Sequence, residues 1–93
     1  MIYKDEYEII RPPIHLTSFA MPTKEEIEEI IIGSIVKVII TQVNKIPERI
    51  WCKIIDSTED GWIKAKLCNT PINLTLPETI KFHVTDIIAI WDE

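Results

Sequence analysis

Arg49, Trp51, Lys53, Trp62, Lys64 and Lys66 are the residues of this chain whose types and spacing could do chemistry. Within each short run they recur at alternate positions, and alternate side chains along a strand share one face. Cations so placed can neutralise carboxylates or phosphates, while an indole offers a flat surface to a partner's side chain or to a base. A second set, Glu25, Glu28 and Glu29, gathers the opposite charge on a short segment. It would suit a basic protein partner through electrostatic steering. Three readings of the tryptophan-bearing set stay open: packing under N-terminal residues such as Tyr7, Ile9, Ile14 or Phe19, anchoring of a protein, and stacking of bases with the cations on phosphates. Trp51 and Trp62 share a register on neighbouring strands and are expected to stand as a cross-strand pair.

The elements that must carry these residues are strands. Runs at 35–43, 49–56 and 62–67 alternate with period two and end at turn residues. One register reads Val36, Val38, Ile40, Ile50, Cys52, Ile54, Ile63, Ala65 and Leu67; the other carries Lys37 together with the six residues named first. The chain is therefore expected to bury the first set and to leave the second in solvent. Isoleucine supplies 21 of the 93 residues, a β-branched bias that suits a pleated surface. Asn44-Lys45-Ile46-Pro47-Glu48 and Glu59-Asp60-Gly61 read as hairpin connections. Residues 72–76, 80–83 and 87–91 read as further strands, with a helical turn or bend at 84–86. Trp91 is expected to plug the barrel end, and Asn69 to fix its turn by bonding backbone.

One helix is expected over about residues 24–32. Thr23 and Glu26 have the spacing of a capping box, Ile27, Ile30 and Ile31 form an apolar stripe, and Gly33 follows as a C-cap. Tyr7 to Ile10 offers a short strand before the consecutive prolines Pro12 and Pro13. The reading is α+β: a small five- to six-stranded, mostly antiparallel, partly open SH3-like barrel with one short helix. Residues 19–93 form its single domain, and residues 1–18 form an N-terminal segment.

Composition narrows function more than it names it. The net charge is −5, distributed as −4 over residues 1–34, +2 over 35–68 and −3 over 69–93. A negative field overall disfavours non-specific binding to a polyanion. No apolar run is long enough to cross a membrane and the N-terminus lacks the apolar block of a signal peptide, so a cytoplasmic location is the expectation. Cys52 and Cys68 show no metal-ligand spacing and read as reduced thiols. His15 and His83 are far apart in sequence, and His83 reads as an edge imidazole bonded to backbone. Two glycines cannot build a phosphate-cradling loop. No catalytic constellation, metal site or cofactor site is expected, which leaves a binding module.

Four segments carry a resemblance. Gly33-Ser34-Ile35-Val36-Lys37, Glu48-Arg49-Ile50-Trp51-Cys52, Leu67-Cys68-Asn69-Thr70-Pro71 and Asp86-Ile87-Ile88-Ala89-Ile90-Trp91 fall in the order of a small bacterial domain family of unknown function. Its pattern runs Gly-Asp-x-Val-Lys, Glu-Arg-Met-Trp-Val, Gly-x-Leu-x-Asn-x-Pro, Gly-Asp-x-Val-x-Phe and Ile-x-x-Trp. The chain is similar to it over roughly residues 19–91, and departs from it with Ser34 for Asp, Ala65 for Gly and Glu78-Thr79 for Gly-Asp. Some relatives resemble immunity proteins that neutralise toxins of competing bacteria. The resemblance thus implies a protein-binding role, with a basic toxin as one partner; a nucleic-acid or anion binder using the Trp/Lys/Arg strand face is the alternative.

Overall fold

β-Branched alternation gives the strands of this protein their two faces, and the computed structural model follows it. Residues 7–10 and 22–91 are described. The elements run β1 (Glu8–Ile10), α1 (Lys24–Glu28), β2 (Ile35–Thr41), β3 (Glu48–Ser57), β4 (Trp62–Leu67), β5 (Thr79–His83), a 3₁₀ turn (Val84–Asp86) and β6 (Ala89–Ile90). They form one antiparallel six-stranded sheet in the order β1-β2-β3-β4-β5, with β6 also paired to β2. The free edge of β2 is shared: Ile39, Ile40 and Thr41 pair with β1, while Val36 and Lys37 pair with β6. Between the outermost strands the Lys81 amide donates to the Tyr7 hydroxyl at 2.8 Å. One side-chain bond thus stands where a further rung would close the curve. The result is an open half-barrel with one short helix.

The inner register is the one the alternation selects. Val36, Val38, Ile40, Ile50, Cys52, Ile54, Ile63 and Ala65 are buried, joined by Leu74, Ile80, Phe82 and Ile87. Leu67 is half-buried at the rim, with Tyr7, Ile9, Ile27 and Ile30 packed against the same cluster. An interior of close-packed β-branched side chains is stiff, so the outer positions inherit a fixed frame.

Several elements depart from the sequence reading. The helix is a single five-residue segment, not a run to 32. Its capping box forms as expected, with Glu26 N–H donating to Thr23 and Thr23 N–H to Glu26. Beyond Glu29 the chain turns instead, because the Gly33 amide donates to Ile54 at 2.8 Å and the Ser34 carbonyl accepts from Ile54 at 2.9 Å. These bonds extend the β2–β3 ladder and pull the backbone out of helix. Gly33 (φ 100°) therefore serves that turn, and Ile31 is 70% exposed. The expected strand at 72–76 is a strap held by side chains. The Glu48 carboxylate accepts from the Ile72, Asn73 and Leu74 amides at 2.6–3.1 Å. Gln42 exchanges two bonds with Thr75, at 2.7 and 2.8 Å. Leu74 is thereby seated in the core. No helix among the described residues is long and apolar enough to cross a membrane.

Candidate binding face

The outer face is set by register. Lys53 stands directly opposite Lys66 on β4, and Lys64 directly opposite Lys81 on β5. Lys64 and Lys66 are two apart on one strand, so the four ammonium groups form one contiguous patch. Like charges placed face to face across strands repel. Few anions offset them. Glu78 lies 3.5 Å from Lys66 with both side chains mostly in solvent, and Asp56 stands opposite Lys64 across a bulge between Ile54 and Asp56. Lys53, Lys64 and Lys81 make no ion pair with a described residue.

Tryptophans bound the patch at both ends, but not as a pair. Trp51 lies opposite Lys37 on β2, whose ammonium sits 4.7 Å from the indole centroid. Its edge contact is Trp91, at 5.4 Å between centroids. Trp62 meets the edge of His83 on β5 at 5.1 Å and is 55% exposed. The expected Trp51–Trp62 pair therefore does not form. Hairpin register matches Trp51 with the level of Cys68, six residues along β4 from Trp62, or about 20 Å. Packing under Tyr7 and Ile9 does not occur either, since both lie against the inner core; Ile14 and Phe19 lie outside the described residues, as does His15. Trp91 does not plug the barrel. Its amide donates to Ile35 at 2.8 Å, which puts it in register with an outward residue, and it is 53% exposed.

Of the six residues first singled out, Lys53, Lys64 and Lys66 come together, Trp51 and Trp62 flank them, and Arg49 lies beyond Trp51 opposite Ile39. Lys81 was missed as a member, although its alternation with buried Ile80 and Phe82 was a usable signal. A groove of about 560 Å³ opens at the Trp62 end, lined by Asp56, Ser57, Thr58, Trp62, Lys64 and Lys81. Glu25, Glu28 and Glu29 are exposed on α1 and the turn after it. A smaller groove joins Glu26 and Glu29 to Ile90 and Trp91, so Trp91 marks the border between acidic and basic surface.

The remaining reactive groups are engaged in structure. His83 Nε2 lies 2.9 Å from the Asp60 carbonyl, and Nδ1 accepts from the Thr85 amide at 3.3 Å. A carbonyl only accepts and an amide only donates, so the neutral imidazole carries its proton on Nε2. This is the backbone-bonded edge imidazole that the sequence suggests. Its amide donates to buried Asp86 at 2.9 Å, fixing the 3₁₀ turn. Cys52 is buried and its thiol is pushed up to about 12, first by loss of solvent and second by the neighbouring Cys68. At that value it is no nucleophile. Asn69 accepts from the Trp51 amide at 2.8 Å, bonding backbone on β3 rather than within its own turn. No group of three or more His, Cys, Asp or Glu among the described residues is gathered to hold a metal.

No protein-family model, no curated protein and no solved structure matches this chain.

Proposed function

We propose that this protein is a non-enzymatic protein-binding module of SH3-like barrel type whose working surface is the outer face of β3, β4 and β5. The barrel reading is supported by strand order: β2 to β5 run as a meander, a 3₁₀ turn follows, and β6 returns to β2. The binding reading rests on one observation above others, the two directly opposed lysine pairs, Lys53–Lys66 and Lys64–Lys81. A chain carrying 15 acids and 10 bases has enough carboxylates to neutralise them, yet leaves three of the four without a described ion-pair partner. Charge kept at a cost to the fold is explained by a partner that uses it.

Toxin neutralisation is the specific role within that class, and its support is the resemblance carried by the Arg49-Ile50-Trp51 and Leu67-Cys68-Asn69-Thr70-Pro71 segments. A basic toxin would meet Glu25, Glu28 and Glu29, whereas the lysine patch calls for an acidic one. Co-expression with the product of a toxin gene beside its own tests the role. A stable complex on gel filtration together with restored growth is expected; free toxin and unrelieved growth arrest contradict it.

A further inference from the structure

We infer that the lysine patch receives a short acidic segment of the partner protein, with an apolar side chain of that segment resting on Trp62; this rests on the protein-binding reading above. The patch runs about 20 Å along β4 between the levels of Trp51 and Trp62, and about 10 Å across from β3 to β5. That area fits about six residues of extended chain. Carboxylates two residues apart in such a segment share one face, the spacing at which Lys64 and Lys66 stand on theirs. Lysine is a compact charge with rotatable donors, suited to single carboxylate oxygens. The groove beside Trp62, edged by Ser57 and Thr58, supplies the apolar seat that ends the segment.

A nucleic acid fits less well, for two reasons on the same surface. Trp51 is half-buried with an ammonium over its ring and Trp91 at its edge, so the two well-exposed indoles, Trp62 and Trp91, stand at opposite ends of the patch. Base-stacking grooves use several such platforms in series. Both ends of the patch are also acidic: Glu59 and Asp60 lie in the turn before Trp62, and Glu26 and Glu29 lie in the groove beyond Trp91. A continuous run of phosphates would extend onto those carboxylates, whereas a six-residue segment would not.

The test is a titration of the isotope-labelled full chain, followed by amide and indole resonances, with a hexapeptide carrying glutamate at its first and third positions and leucine at its fifth, which puts all three on one face, and with a ten-nucleotide oligothymidine. Expected are shifts at Lys53, Lys64, Lys66, Lys81 and the Trp62 indole with the peptide, weakening as salt rises. Lys64→Glu/Lys81→Glu, and to a lesser degree Lys64→Gln/Lys81→Gln, should weaken the peptide at least tenfold while keeping a dispersed spectrum. Absent or misplaced shifts, or tighter binding of the oligonucleotide, overturn the inference. A toxin complex untouched by Lys64→Glu/Lys81→Glu removes the acidic-segment site and leaves the binding-module reading standing. Peptide binding at this face with no toxin complex does the reverse to the toxin role.

Discussion

Gly61 shows at single-residue scale how the patch is held. Its φ is 92°, its carbonyl accepts from Val84 at 2.8 Å, and an added Cβ would lie 2.8 Å from His83 Nε2 and 3.1 Å from Val84. Gly61→Ala combines backbone strain with a clash against the imidazole that supports Trp62, and is expected to destabilise by about 2 kcal/mol in chemical denaturation. Gly33 has a similar φ but open space around it, so Gly33→Ala should cost clearly less. Equal losses at the two sites would show that the contact with His83 carries nothing. The two thiols separate in the same way. Cys68 is exposed and Cys52 buried, so iodoacetamide on the native chain at pH 8 is expected to label one site, and denaturant to release the second. Two fast labels without denaturant would mean that the β2–β3 interior opens readily.

Among the elements, the hairpins and the helix start were legible because their signals are local: alternation, Gly61 in a tight turn, and Thr23 with Glu26. The strap at 72–76 was not. Its residues alternate like a strand, but their backbone partners are the Glu48 carboxylate and the Gln42 amide, far away in sequence. The Trp51–Trp62 pairing failed for a related reason: phase gives the face, while only hairpin register gives the level along it. The strap carries its own pH response. Hydrogen bonds from the Ile72 and Asn73 amides hold the Glu48 carboxyl below its usual 4.5; partial loss of solvent opposes them, and the Leu74 amide adds a lesser bond in the same direction as the first two. A depressed folded value means that the unfolded chain takes up the proton first. The stabilisation is therefore present above the usual value and is lost as pH falls through the lower one. Amide shifts of residues 72–74 are expected to titrate together with an inflection below 4.5, and Glu48→Gln should abolish it. An inflection at or above the ordinary glutamate range would contradict the clamp.

Across the whole molecule, charge is sorted by surface. Six of the ten bases, Lys37, Arg49, Lys53, Lys64, Lys66 and Lys81, lie on one face of the sheet, while α1 and the turn after it carry acids. The sequence showed the basic middle segment but not Lys81, which the fold brings in from the acidic C-terminal third. This sorting loads the folded state with repulsion that a random placement of the same charges would relieve. The direct test is the thermal midpoint of Lys53→Glu, a charge reversal at an exposed position facing Lys66. Replacing a like-charge pair with an opposite one is worth roughly 0.2–1 kcal/mol. A domain of this size should then melt a few degrees higher at low salt, with the gain fading as salt is added. A midpoint unchanged or lowered at low salt would mean that the lysines do not repel one another, and that the face has no unspent charge to offer a partner.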